Sequence, residues 1–450
     1  MTPFEILAAG VVEFGLSDLT AAQIDRLELH VADTLGALEL GARTDAGLAM
    51  ARLAAPAPRG RCTAPGDGAM AAPGQAITAA CAVARCSEAD DIHLGSCTTP
   101  GACVVPTALA LASAGRLDTP RGFLEAVAVG YELMVRVGLA IDGPRILLHG
   151  VWPSLFAAPM GAAAVEARAR GLDRGRVAGA LATALLASNG GAPGPGRATT
   201  SRWLLFGEAA RRGALAAEWA SAGLLGDPDV LARRHSVAGV AVDSSILAEP
   251  FQVGRELDRV GFKPYPIARQ ALAAVEACRE LAEAHGVDAG RVDEVIVRLP
   301  AAQRAIVDRI ERPEGRLGSL VSVQYRVAVA LEAPARLRDP SRGQVFMTPT
   351  IERLMPRVRV VEAPELEHHY PDAWPARVTV RVDGRTLERE VLHPDGDPES
   401  GFGWADVEQK MRVATDQRRG PAVSERIVAA VRGLHAAERL PPLWNLGAVA

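Results

Sequence analysis

Side chains capable of chemistry concentrate at four joints rich in glycine and proline, each lying between apolar helical stretches. In the first joint, residues 88–106, Asp91 and His93 could transfer protons near neutral pH, and Thr98 and Thr99 could bind a substrate through their hydroxyls. The other joints hold His149 with Trp152, Thr200 with Arg202, and Lys263 with Arg269. Because loops at helix ends are where small-molecule sites are usually built, these residues predict such a site.

Each of these residues also has a purely structural interpretation. Asp91 could cap the next helix or lie in solvent, and a single histidine such as His93 more often packs than catalyses. Asp90, Asp91 and His93 match no standard metal-ligand spacing, so neither a metal nor a cofactor is predicted. The cysteines lack CxxC or zinc-ligand spacing and are expected to be reduced structural thiols; they are Cys62, Cys81, Cys86, Cys97, Cys103 and Cys278.

Lysine occurs at only two positions, Lys263 and Lys410, whereas arginine is abundant. A primary amine can lose its proton when it is desolvated, but a guanidinium effectively cannot. A lysine retained in such a sequence is therefore a candidate for a role that arginine cannot fill, although chance retention explains it equally simply.

Composition limits the classes of function. The 450 residues include 49% hydrophobic and 23% charged residues, as in a globular protein of about two domains, and the net charge is −4. No basic surplus exists to neutralise phosphates, so we expect neither a nucleic-acid nor a membrane partner. The first residues lack the basic region of a signal peptide, and the apolar runs are too short to cross a bilayer. A cytoplasmic location is therefore expected.

The elements that must position these side chains are mainly helices. Apolar residues recur at helical spacing over 20–40, 73–86, 103–114, 121–140, 157–170, 174–188 and from 208 onwards. Alternating runs predict strands at 292–300 and 356–364, and a hairpin over 376–394 turning at Asp383-Gly384. We predict a mainly α protein: an all-helical domain over 1–257, with 401–450 packing back onto it, and a smaller α+β lid domain over 258–400.

Phrases spread over nearly the whole chain resemble the MmgE/PrpD family, which includes 2-methylcitrate dehydratase, cis-aconitate decarboxylase and iminodisuccinate epimerase. No single phrase is diagnostic, but their order is specific. The phrases include "RLELHVADTLGALELG", "EADDIHLGSCTTPGACVVPTALALAS", "HGVWPSLFAAPMGAAAVEARARGLD", "FKPYPIAR" and "VSVQYRVAVAL". The resemblance implies a large helical domain with a small α+β lid, a homodimer without metal, and proton transfer next to a carboxylate of a small polycarboxylate.

The residue-by-residue match with the family is uneven. Asp91 falls on the family's active-site aspartate and Lys263 on the lysine of its "KPYP" phrase. Tyr325 and Arg269 fall on the tyrosine and arginine that the family also carries. The resemblance therefore implies catalytic roles for Asp91, Lys263 and Tyr325, and carboxylate binding by Arg269.

Four positions depart from the family pattern. Thr99, Trp152 and Leu205 stand where the family has histidines, and Arg202 replaces a lysine. None of the first three side chains is a base at neutral pH, whereas Arg202 can still clamp a carboxylate. His93 and His149 are near two of the lost histidines in sequence and are candidate replacements, but simple proximity in sequence is an equally good interpretation.

These observations predict a divergent lyase or isomerase that catalyses dehydration, decarboxylation or epimerisation of a small carboxylate. The large apolar replacements indicate a substrate less polar or bulkier than citrate-type acids. The alternative is a non-catalytic relative, a scaffold or carboxylate-binding protein that kept the fold. A decarboxylase or dehydratase identical in activity to the named members ranks below both, because the histidines are missing.

Overall fold

The computed structural model describes residues 1–53, 62–63, 70–191, 200–233, 236–339 and 345–443. The chain forms two compact units. The first consists of the described parts of Met1–Pro193, Thr200–Gly261 and Gly403–Ala450, and the second of those of Phe262–Phe402. As the sequence predicts, the structure is mainly α-helical with small sheets.

The first unit begins with thirteen α-helices and six two-residue strands in its described residues up to Gly261. The helices are α1 (Pro3–Glu13), α2 (Ala21–Ala42), α3 (Asp45–Leu53), α4 (Pro73–Cys86), α5 (Gly101–Ser113), α6 (Pro120–Ala140), α7 (Gly143–Leu147), α8 (Pro153–Ala169), α9 (Arg174–Leu186), α10 (Ser201–Ser221), α11 (Val230–Arg233), α12 (Ser244–Leu247) and α13 (Val253–Asp258). The strands are β1 (Cys62–Thr63), β2 (Met70–Ala71), β3 (Ile92–His93), β4 (Ser236–Val237), β5 (Val240–Ala241) and β6 (Val260–Gly261). They pair as β1–β2, β3–β6 and β4–β5.

The core of this unit is built from helices that are apolar on most faces. Helices α5, α6 and α8 are buried along nearly their whole length, and α8 packs between α6 and α10. The predicted helices over 157–170 and from 208 begin earlier than expected: α8 begins at Pro153, a residue suited to a first helical turn, and α10 at Ser201. Trp152 and Thr200, which the sequence places in joints, therefore directly precede the first turns of α8 and α10.

The second unit contains a four-stranded sheet covered by helices. Its elements are α14 (Arg269–His285), β7 (Val292–Leu299), α15 (Ala301–Val307), α16 (Gly315–Val321), α17 (Val323–Glu332), α18 (Pro349–Leu354), β8 (Val358–Glu362), β9 (Ala376–Val382) and β10 (Arg385–Val391). The strand order is β10-β9-β7-β8, with β7 parallel to β8 and the other pairs antiparallel. The core of the unit lies where α14 and α17 pack with this sheet.

The predicted hairpin forms as the sequence indicates. Val382 pairs with Arg385 across the turn, and both turn residues, Asp383 and Gly384, have positive φ, at 52° and 71°. Aspartate and glycine adopt this conformation more easily than other residues. The hairpin places β9 inside the sheet and β10 at its edge.

The remaining helices, α19 (Trp404–Arg419) and α20 (Pro421–Val431), belong to the first unit, where α19 packs against α2. Among the residues that the structure describes, no helix has both the length and the apolar character needed to span a membrane.

Candidate functional site

Asp91 lies at the centre of a fully buried polar cluster in the helical unit. Its Oδ1 accepts a hydrogen bond from the backbone N–H of Gly101 at 2.9 Å, and its Oδ2 accepts one from the Tyr131 hydroxyl at 2.6 Å. His30 Nδ1 is 3.1 Å from the same Oδ2. The hydrogen bond to Gly101, the first residue of α5, agrees with the interpretation that Asp91 caps this helix. The complete burial of Asp91 excludes the alternative that its carboxylate lies in solvent.

Three helices bring the partners of Asp91 together. His30 is on α2, Gly101 begins α5 and Tyr131 is on α6, whereas the Asp91 backbone directly precedes β3. Gly101 leaves room for the cluster, since a Cβ at this position would lie 2.7 Å from Asp91 Oδ2, Tyr131 Oη and Thr34 Oγ1. Only glycine therefore fits here without displacing a polar side chain.

Burial sets the protonation of this cluster. It lowers the pKa of His30, and the neighbouring Asp91 carboxylate only partly opposes that effect. A neutral imidazole with Nδ1 next to a carboxylate carries its proton on Nδ1, which makes Nε2 the basic nitrogen. Burial and the nearby Asp91 raise the pKa of Tyr131, so its hydroxyl stays protonated and donates.

A buried ion pair supports the backbone just before Asp91. Lys410 Nζ on α19 donates to Asp33 Oδ1 at 2.6 Å and also hydrogen-bonds the carbonyl of Ala89. Burial raises the pKa of Asp33 to about 6, although Lys410 acts in the opposite direction. Lys410 thereby joins α2, α19 and the segment that carries Asp91.

A second group of charged side chains lies near the Trp152 indole ring. Arg85 forms ion pairs with Glu88 at 2.9 Å and with Asp90 at 3.2 Å. The guanidinium carbons of Arg85 and Arg202 are 5.1 and 4.5 Å from the Trp152 ring centroid, within the range of cation–π attraction. Neither guanidinium has an acceptor for its Nε among the described residues, so a polar edge of each remains available.

Apolar and aromatic groups surround Arg202. Phe206, one turn along α10, stacks on Trp152 at 5.6 Å between centroids, and Trp203 donates from Nε1 to Glu88 Oε1 at 3.0 Å. Burial lowers the pKa of Arg202, yet a guanidinium remains charged in proteins. The arrangement favours an anion whose neighbouring groups are apolar.

His93 makes structural contacts instead of joining Asp91. The backbone N–H of Ser96 donates to its Nδ1 at 3.0 Å, which makes Nε2 the donor towards Glu256 Oε2 at 3.2 Å. Burial acts to raise the pKa of Glu256, but the hydrogen bond from His93 and the neighbouring positive charges outweigh it. The pKa of Glu256 is therefore lowered from its ordinary value. His93 thus fixes the turn that follows β3.

The remaining sequence-predicted residues of the helical unit are divided between buried and exposed positions. Thr98 is bonded to Ser96 Oγ at 2.7 Å, and Thr99 Oγ1 to Ser154 Oγ at 3.2 Å. His149 is exposed beyond the end of α7, and Thr200 is exposed immediately before α10. The structure therefore brings Arg202 and Trp152 together, but it brings neither His93 nor His149 to Asp91.

Lys263, which belongs to the α+β unit, is 2% exposed in the whole chain. Arg269, the first residue of α14, forms a buried ion pair with Asp397, and its Nε and Nη1 have no acceptor among the described residues. The Tyr325 hydroxyl donates to the carbonyl of Phe346 at 2.8 Å.

Sequence reasoning missed His30 and Tyr131 as site residues, and it noted Lys410 only because lysine is rare in this chain. Their signal is the presence of polar residues inside helices that are otherwise buried, since His30 and Asp33 share one face of α2. A buried polar side chain needs a partner, and here the partners are the Asp91 carboxylate and each other.

Comparison with known proteins identifies a family for both parts of the chain. The model of the MmgE/PrpD N-terminal domain matches residues 5–247, and that of the MmgE/PrpD C-terminal domain matches residues 265–436. No curated protein matches the chain at a significant level. Together the two matches cover most of the sequence.

Proposed function

Because the chain belongs to the MmgE/PrpD family, we propose that it is a cofactor-independent lyase or isomerase that moves a proton next to a carboxylate. Dehydration, decarboxylation and epimerisation are the reactions of this type. The proposed substrate is a small carboxylate that is less polar or bulkier than citrate-type acids. The proposed assembly is a homodimer of twice the chain mass of 47.2 kDa.

The partly buried Arg202 guanidinium is the observation that carries the proposal. It lies 4.5 Å from the Trp152 ring centroid, and its Nε has no acceptor among the described residues. A carboxylate would supply that acceptor through a charge-assisted hydrogen bond, and the indole would contact an apolar part of the same molecule. A lysine at position 202 could not provide the planar, two-pronged contact.

Proton transfer is proposed to depend on Asp91, with His30 and Tyr131 as positioning residues. The two side chains approach Asp91 Oδ2 from different helices, which fixes the plane of the carboxylate. Three histidines of the family pattern are absent from this chain, and the neutral His30 provides an imidazole next to Asp91 in their absence. Lys263 is proposed as a second proton-transferring group, because it is buried and falls on the lysine of the family's "KPYP" phrase.

Turnover of a panel of small carboxylates, followed by NMR, tests the assignment. We expect Asp91→Asn and Lys263→Ala each to abolish turnover while the dimer stays folded. The exposed Asp118 provides a matched control, since Asp118→Asn makes the same chemical change on the same unit. Full activity in both the Asp91 and the Lys263 variant would refute the assignment.

Substrate binding is tested separately with Arg202→Met and the control Arg212→Met, an exposed arginine on the same helix. We expect carboxylates to raise the melting temperature of the control but not of Arg202→Met. Equal stabilisation of both variants would remove Arg202 from the binding site.

The second candidate function is a carboxylate-binding protein without chemistry. It is favoured by Leu205, which stands in place of a family histidine and is 44% exposed. Carboxylate-dependent stabilisation of the wild type, with neither product nor solvent-proton exchange, would establish this function instead of the enzyme.

A further inference from the structure

The segment after β10 brings three metal-ligating side chains together in the α+β unit. His393 Nδ1 is 3.7 Å from Asp397 Oδ2 and 3.3 Å from Glu399 Oε2, and one ligating atom from each residue lies within 4.8 Å of the others. Two ligands of one tetrahedral zinc ion, each about 2.1 Å from the metal, are about 3.4 Å apart. The observed separations are therefore those of side chains that could share one ion.

Asp397 provides an independent indication of a ligand. Its side chain is only 2% exposed, and its Oδ2 accepts no hydrogen bond from any described residue, although this oxygen faces His393. A buried carboxylate oxygen without a donor is costly, and a cation relieves that cost. The other oxygen, Oδ1, is held by Arg269 in a buried ion pair.

Arg269 acts here as an outer partner that orients the carboxylate. Carboxylates that bind metals are commonly hydrogen-bonded on their other side, which aims the free oxygen at the ion. Because Arg269 holds Oδ1, Oδ2 is left directed at His393. The pair also lowers the net negative charge that the three ligands would present to the metal.

The backbone between the ligands is fixed before any ion binds. The N–H of Phe262 donates to the carbonyl of Gly396 at 2.6 Å, and the N–H of Gly396 donates to Ser400 Oγ at 2.9 Å. Gly396 has a φ of +98°, and a Cβ there would lie 2.3 Å from the carbonyl oxygen of Phe262. This turn holds the three ligands at positions i, i+4 and i+6.

We propose that His393, Asp397 and Glu399 form a binding site for a divalent first-row transition metal, with Zn²⁺ as the best-fitting ion. One imidazole nitrogen with two carboxylate oxygens suits Zn²⁺, whereas Mg²⁺ and Ca²⁺ prefer oxygen ligands alone. The partly exposed His393 and Glu399, at 32% and 58%, leave room for water as a further ligand. The ion would hold together the three side chains of the segment after β10, one of which, Asp397, is already paired with Arg269 at the start of α14.

Isothermal titration of the untagged, metal-free full chain with Zn²⁺ tests the site. His393→Ala/Glu399→Gln removes two ligands whose side chains are not deeply buried, so the variant is expected to fold. His285→Ala/Glu311→Gln makes the same chemical changes at exposed positions of the same unit. We expect wild type and control to bind Zn²⁺ at this site, and the first variant to bind at least about tenfold more weakly there.

Thermal unfolding provides the second readout, because an ion that binds only the folded state raises the melting temperature. We expect Zn²⁺ to stabilise wild type and control but not His393→Ala/Glu399→Gln, while the three proteins melt alike without metal. Identical zinc titrations for all three proteins, or no zinc binding by the wild type, would refute the site. Equal stabilisation of the wild type by Mg²⁺ would refute the assigned class of metal.

Discussion

Replacing Asp33 by asparagine should destabilise the helical unit strongly, because it strands the charge of Lys410. The two groups are 2.6 Å apart, and their side chains are 0% and 3% exposed. Removing one partner of a buried ion pair commonly costs about 3–5 kcal/mol, since the other charge remains desolvated. Ala89, the third member, offers only a carbonyl oxygen to the ammonium.

Hydrogen exchange of the α2 and α19 amides at pH 7.5 measures this cost locally. A loss of about 3–5 kcal/mol corresponds to exchange roughly 10²–10⁴ times faster for amides that exchange through opening of the unit. The double variant Asp33→Asn/Lys410→Met should recover most of the loss, because a neutral pair replaces the stranded charge. Asp118→Asn is the exposed control.

Two results would refute this reasoning. The first is exchange in Asp33→Asn within about tenfold of wild type, which would mean that the buried ammonium finds another partner or water. The second is a double variant that exchanges as fast as Asp33→Asn.

Three further changes test the site. Gly101→Ala should lower the melting temperature and turnover, because the added Cβ would lie 2.7 Å from three oxygens. The control is Gly36→Ala, since a Cβ there would lie 3.6 Å from its nearest neighbour, Met411 Cε. Equal effects of the two substitutions would contradict the packing argument. Burial lowers the pKa of His30, so wild type should lose stability as pH falls below 6.5, and calorimetry of His30→Asn should show a smaller loss between pH 7.5 and 5.5. If His30→Asn loses stability as steeply as wild type, a group other than His30 causes this pH dependence. Trp152→Leu removes the ring that the Arg202 cation faces, so calorimetric carboxylate binding should weaken by about 0.5–2 kcal/mol; unchanged affinity would exclude the indole from the site.

Local patterns predicted the elements of this protein well. Helical spacing located α4 and α6 closely, and the Asp383-Gly384 turn identified the β9–β10 hairpin with its register. Both signals depend on neighbouring residues, because a helix repeats every 3.6 residues and a strand every two. The family resemblance, carried by phrases in sequence order, is confirmed by both domain models.

The partners within the site could not be predicted in this way. Asp33 and Lys410 are 377 residues apart, so no local period relates them. His93 lies two residues from Asp91, and residues two apart in an extended segment share a side, yet the His93 side chain contacts Ser96 and Glu256 instead of Asp91. Which imidazole lies next to Asp91 is decided by the packing of α2, and this packing selects His30.

Exchange of substrate protons with solvent tests the central claim most directly. Wild type is incubated in D₂O with those small carboxylates that raise its melting temperature, and deuterium next to the carboxylate is followed by NMR. We predict incorporation by wild type and by Asp118→Asn, and none by Asp91→Asn. Carboxylates that bind to wild type without any exchange or product, or equal exchange by Asp91→Asn, would contradict proton transfer at Asp91.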